Sequence, residues 1–93
     1  MIEHQRFSDR VPFAARVMVV RGDAAWVAEV KDLSEGGCGT FRPADCALEV
    51  ADLVQLIFFD GPGRAVVVGA RVARIAPASL GFEYHDPQTV PPT

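Results

Sequence analysis

The sequence predicts an all-β fold: a small six-stranded antiparallel β-barrel preceded by a flexible N-terminal arm. Three observations lead there. Apolar residues fall in short runs rich in Val, Ile, Leu and Phe, several alternating with polar ones, and no stretch sustains a helical period. Turn formers such as Gly22-Asp23, Gly36-Gly37 and Asp60-Gly61-Pro62-Gly63 separate these runs at intervals of roughly ten residues. A chain of 93 residues holds one core and one domain.

Each element has its own reason. Residues 16–21 (RVMVVR) alternate loosely and read as the first strand, closed by the hairpin signal Gly22-Asp23. Residues 25–33 follow, with Trp26, Ala28 and Val30 on one face and Val27, Glu29 and Lys31 on the other. Gly36-Gly37 breaks that pattern, and residues 38–42 form a short third strand. Residues 43–51 read as irregular or as a single helical turn. Residues 53–59 (LVQLIFF) form a strong strand that ends at Asp60-Gly61-Pro62-Gly63. The longest strand covers residues 65–75, with Gly69 marking a bulge or a corner. The last covers residues 80–84 and puts Leu80, Phe82 and Tyr84 on one face. This divides the chain into an arm at 1–11, a barrel at 12–86 and a Pro-rich, frayed tail at 87–93.

Composition narrows the function. With 49% hydrophobic and 23% charged residues, the chain folds rather than staying disordered. The net charge of −3 argues against general binding to DNA or RNA backbones. The charge is uneven. Residues 1–21 carry four arginines against two acids, a net +2, while the remainder carries −5. A single-stranded nucleic-acid barrel needs a basic groove and exposed aromatics, and here the barrel portion is acidic. No apolar run approaches the length of a membrane span, and the start Met-Ile-Glu-His-Gln-Arg lacks the features of a signal peptide. The expected location is the cytoplasm, with Cys38 and Cys46 as packed thiols.

No catalytic constellation is visible. His4 and His85 have no Cys or Ser partner at a recognisable spacing, two cysteines eight apart make no zinc site, and no phosphate loop is present. The chain is expected to be no enzyme and to need no metal. Two spacings remain: Arg6-Phe7-Ser8-Asp9-Arg10, an RxxxR, and Asp32-Leu33-Ser34-Glu35-Gly36-Gly37, a DxSxxG at a strand end. With eight arginines, an RxxxR arises by chance about 0.7 times. The second spacing has a chance expectation of only about 0.02 and carries the weight.

In this order the two motifs resemble the PilZ domain family, bacterial receptors of the second messenger cyclic di-GMP. Val11-Pro12 after the arm and the closing LGFEY also fit the family, so the resemblance runs over residues 6–85. Gln5 stands where many members carry another Arg, and the C-terminal helix common in the family is absent or very short. The resemblance implies binding of cyclic di-GMP through Arg6, Arg10, Asp32, Ser34 and Gly37. It also implies an arm that orders on the ligand and signals to a separate effector protein. Gln5 brings no cation to a second nucleotide, so one ligand per chain is expected. The alternative is a degenerate PilZ-like module that binds protein and no nucleotide.

The chemistry agrees with the resemblance. A guanidinium meets guanine O6 and N7 bidentately, grips phosphate and stacks on a purine face. A carboxylate at Asp32 suits the guanine N1–H and N2–H₂ donors, Ser34 offers a hydroxyl to base or phosphate, and Gly37 permits close approach or positive φ. A simple phosphate site would have no use for Asp32. On this reading Trp26, Phe58, Phe59 and Phe82 belong to the core, and Asp32 and Ser34 also serve as turn formers. Arg71 and Arg74 lie on the long strand, where they could line the site, and read first as solvated residues of the outer face.

Overall fold

The computed structural model describes residues 11–59 and 64–93, with side chains from residue 15 onward. The arm through residue 10, with Arg6 and Arg10, and the turn at 60–63 lie outside the described residues. The rest is all β: β1 (Val11–Arg21), β2 (Ala24–Leu33), β3 (Gly37–Phe41), β4 (Leu53–Phe59), β5 (Ala65–Ile75) and β6 (Ser79–Tyr84). They close an antiparallel barrel in the order β1-β2-β3-β6-β5-β4.

The inward residues of every strand meet in one core. Val17 and Val19 come from β1, Leu33 from β2, Leu56 from β4, Val72 from β5 and Phe82 from β6, all at 2% exposure or less. Burying a side chain of this size stabilises the fold by about 1.5–3 kcal/mol. Tyr84 packs edge-on against Phe58, with ring centroids 6.4 Å apart. Cys38 is buried, Cys46 is half-buried, and the two form no disulfide with each other.

Several boundaries differ from the sequence reading, each for a physical reason. β1 starts at Val11, not at Arg16, because Val11 pairs with Leu33 and Pro12 with Asp32 before an irregularity at Pro12/Ala15. β4 pairs with β1 only at Val17–Val20, so the first turns of β1 have β2 as their one partner strand, and a proline is tolerated there. Gly69 is neither bulge nor corner: pairing with Gln55 continues through it. A Cβ at Gly69 would stand 3.0 Å from His85 Nδ1, so the glycine makes room for that ring.

The 43–52 connection contains turns and no helix. Asp45 and Ala51 take positive φ, at 59° and 78°, and Leu48 is buried in the core. This loop is pinned at the β1–β2 hairpin end by Trp26 Nε1 donating to Asp45 O and by Arg21 donating to Ala47 O and Asp52. The tail is tied at its start. Gln88 N donates to Glu35 O at 2.8 Å, and Pro92 is buried.

Candidate functional site

Two β-bulges set the outer face. In β2, Val30 pairs with Thr40 and Asp32 with Gly39, so Lys31 is the extra residue. Unbroken alternation from Trp26, Ala28 and Val30 would carry Asp32 into the core. The bulge instead leaves Lys31 and Asp32 outside and returns Leu33 to the interior. In β5, Val72 pairs with Phe82 and Arg74 with Gly81, so Ala73 is the extra residue, and Ala73 and Arg74 both face outward.

The pairings also unite distant parts of the sequence. Pro12 lies opposite Asp32, so the chain enters the barrel beside the DxSxxG motif. Arg10 directly precedes Val11 in sequence. Asp32 is half-buried, and its Oδ1 accepts the Gly39 amide at 3.1 Å. Ser34 is 2% exposed and closes the turn that follows. Its amide and hydroxyl both donate to Gly37 O, at 2.9 and 3.1 Å, and its Oγ accepts the Gly37 amide at 3.2 Å. The hydroxyl proton is thereby committed to the turn, and a lone pair is what it has left for a ligand.

Gly37 is buried and does not take positive φ. A Cβ there would collide with the Phe82 carbonyl oxygen of β6. The close approach expected at this glycine is therefore made by a neighbouring strand. The turn is fastened further by Tyr84 N donating to Gly36 O at 2.8 Å and by the Gln88–Glu35 bond.

Beside this turn lies an open groove of about 330 Å³, lined by Ser34, Gly36, Gly37, Ala73, Phe82 and the Arg71–Glu83 pair. Arg71 Nε donates to Glu83 Oε1 at 2.7 Å, and both side chains are about half exposed. Arg71 thus belongs to the wall of the motif's groove, the alternative to the solvated face that the sequence favours. The signal was its register: Arg71 pairs with Glu83, and Glu83 pairs with Gly37. A larger hollow of about 500 Å³ around Val20, Leu53, Gln55, Gly69 and His85 is lined, among the described residues, by no carboxylate and no guanidinium, and its one titratable side chain is His85. Among the described residues no cluster of three or more His, Cys, Asp or Glu is placed to hold a metal ion. No helix among them is long and apolar enough to cross a membrane.

Comparison with known proteins adds an independent finding. A family model described as "PilZ domain" matches residues 4–91. Among solved structures, the chain is similar to the PilZ domain of CeSA from a cellulose-synthesizing bacterium: TM-score 0.70, 23% identity, covering 83% of this chain and 80% of that one. It is similar to the Bacillus subtilis inhibitor of motility MotI/DgrA, with TM-score 0.73, 16% identity, and 97% and 46% of the two chains covered. It also resembles the Borreliella burgdorferi PlzA protein, solved in complex with c-di-GMP, with TM-score 0.62, 17% identity, and 92% and 37% covered. The chain spans less than half the length of the latter two. No curated protein matches it by sequence.

Proposed function

Because this chain belongs to the PilZ domain family, we propose that it is a cyclic di-GMP receptor that passes the signal to a separate effector protein. One observation carries the reading. Pairing of Pro12 with Asp32 sets the start of β1, two residues after Arg10 in sequence, beside the DxSxxG turn. On this account arginine forks meet the phosphates and the guanine O6/N7 edge, and the Asp32 carboxylate meets the opposite guanine edge. Neither motif alone can address both edges. The complex of the structurally similar PlzA supports the choice of ligand.

In this reading Arg6 and Arg10 grip the nucleotide and Asp32 reads the base. Ser34 and Gly37 hold the turn that presents Asp32. Ligand contacts order the arm ahead of Val11, and the covered surface changes what an effector meets. The shift can be no larger than the ligand's preference for the ordered state.

Isothermal titration tests this. Cyclic di-GMP should bind once per chain, and GMP, GTP and cyclic AMP should bind much more weakly. Arg6→Ala and Arg10→Ala should each cost about 1.5–3 kcal/mol, the range for charge-assisted bonds. Arg10→Lys should also weaken binding, since it keeps charge and loses the fork. Equal affinity for GTP and cyclic di-GMP would overturn a dedicated receptor. Absence of binding would leave the family's protein-interaction role as the better reading.

A further inference from the structure

We infer that two copies of this chain associate through one strand edge: β5, over residues 65–68, pairs antiparallel with the same stretch of a second copy about a two-fold axis. The inference is independent of the nucleotide reading.

The barrel is closed along only part of its length. β6 pairs with β5 from Ala70 to Ile75, and β3 pairs with β2 only from Val30 onward. Beyond those pairings β2, β1, β4 and β5 run on as an open four-stranded sheet whose outer strands are β2 and β5.

The main-chain groups on the outer side of β5 can be assigned. Val72 N donates to Asp52 O and Val72 O accepts the Ala51 amide, both on the β4 side. Gly69 O accepts the His85 amide at 2.9 Å, on the β6 side. The β4–β5 register is unbroken from Ala65 to Arg71, so the backbone alternates regularly along this stretch. Ala65 and Val67 therefore turn their N–H and C=O the same way as Gly69, away from β4. β6 does not follow them: beyond His85 the chain turns off, and Gln88 bonds to Glu35 instead. Those four groups meet no hydrogen-bond partner among the described residues.

Exposed strand edges are ordinarily guarded by a charge, a proline or a bulge. Residues 65–68 (AVVV) have none of these and consist largely of a strong strand former. Val67 is 57% exposed.

A second copy fits this edge. A two-fold axis at Val66 sets Ala65 of each copy opposite Val67 of the other. The two pairs exchange four hydrogen bonds, which use every free group on both edges. Each Val67 side chain then lies beside a small Ala65, and the two Val66 residues stand side by side. The other outer strand is unsuited to the same operation. Pairing β2 with itself about Trp26 would set Asp23 opposite Glu29, carboxylate against carboxylate. The paired stretch is only about 17 Å long, and its contact stays below the roughly 1,200 Å² of a standard interface, so the dimer is weak and concentration-dependent.

Sedimentation velocity of the full chain, from about 5 µM to about 500 µM, tests this on the wild type, Val67→Pro, Val67→Lys and Val67→Thr. The Val67 side chain and amide both point out of the barrel, so the variants should fold, which thermal midpoints will verify. The wild type should pass from monomer to dimer with concentration. Val67→Pro removes one edge donor per copy, and Val67→Lys puts a charge on the edge; each should weaken the dimer about tenfold or more. Val67→Thr keeps the donor and the strand propensity and should dimerise within about threefold of wild type. Amide exchange at Ala65 and Val67 should slow at the higher concentration, and exchange at Ala25 and Val27 should not. A wild type that stays monomeric throughout overturns the inference, as does a species larger than a dimer. Dimers that survive both Pro and Lys place the contact elsewhere. If Val67→Thr is as monomeric as Val67→Pro, an apolar side-chain contact replaces edge pairing.

Discussion

Two neighbouring glycines of the motif have opposite prospects on substitution. A methyl added at Gly36 would meet nothing within 4 Å, and the backbone there has no positive φ, so Gly36→Ala should change stability by no more than about 0.5 kcal/mol. Gly37→Ala would drive a methyl into the Phe82 carbonyl and spread β3 from β6, costing at least about 2 kcal/mol. Urea unfolding of the two variants measures the contrast, and equal midpoints would refute it. Loss of binding in Gly37→Ala must therefore be read beside its stability. Thr40 offers a second residue-level prediction. It is fully buried, and its hydroxyl has no hydrogen-bond partner among the described residues. Thr40→Val keeps the shape and removes the desolvated hydroxyl, so it should stabilise the fold by about 1 kcal/mol. A destabilised Thr40→Val would mean that the hydroxyl finds a partner in solution.

At the scale of elements, the 43–52 connection hangs on a small polar knot. Asp52 Oδ2 accepts the Glu49 amide and Arg21 Nη1, each at 2.9 Å, and the Arg21 guanidinium lies 5.4 Å from the Trp26 ring centroid. The Glu49 amide and then Arg21 hold the Asp52 carboxyl below its ordinary value of 3.8. A carboxyl depressed in the folded state stabilises the fold above its unfolded value, and that contribution disappears as the pH falls through the folded value. Asp52→Asn should therefore be less stable than wild type near neutrality and lose less stability on going from about pH 5 to pH 2. Urea midpoints at several pH values check this, and parallel pH profiles would sink it. The elements themselves were legible to different depths. β4 and β5 can be read directly, because apolar runs there end at strong turn residues. The first half of β1 cannot, since VPFAA shows no alternation and becomes a strand only through pairing with the far end of β2. The bulges at Lys31 and Ala73 were equally hidden, because one extra residue has meaning only against a partner strand. Asp32 was legible as a candidate site residue through its motif, whereas register was needed to put Arg71 in the groove wall.

For the molecule as a whole, the receptor reading predicts a ligand-dependent change confined to one end of the chain. Amide exchange ahead of Val11 should slow on addition of cyclic di-GMP, while the core strands, closed into a barrel, should change little. Equal exchange with and without the nucleotide would rule out ordering of the arm as the switch.

The two ends of the fold also meet. Val11 pairs with Leu33, and Gln88 is bonded to Glu35, so the chain enters and leaves the barrel within a few residues of the same turn. The Gly22-Asp23 hairpin lies at the opposite end of β2. A circular permutant that joins the old termini through a short linker and opens at Gly22-Asp23 would keep every strand pairing intact. Spliced instead into a surface loop of a fluorescent protein, the domain would present both splice points next to Asp32, and nucleotide occupancy would act directly on the host's backbone. On the receptor reading the architecture is that of an insertable sensor cassette, with the proposed recognition surface at the seam.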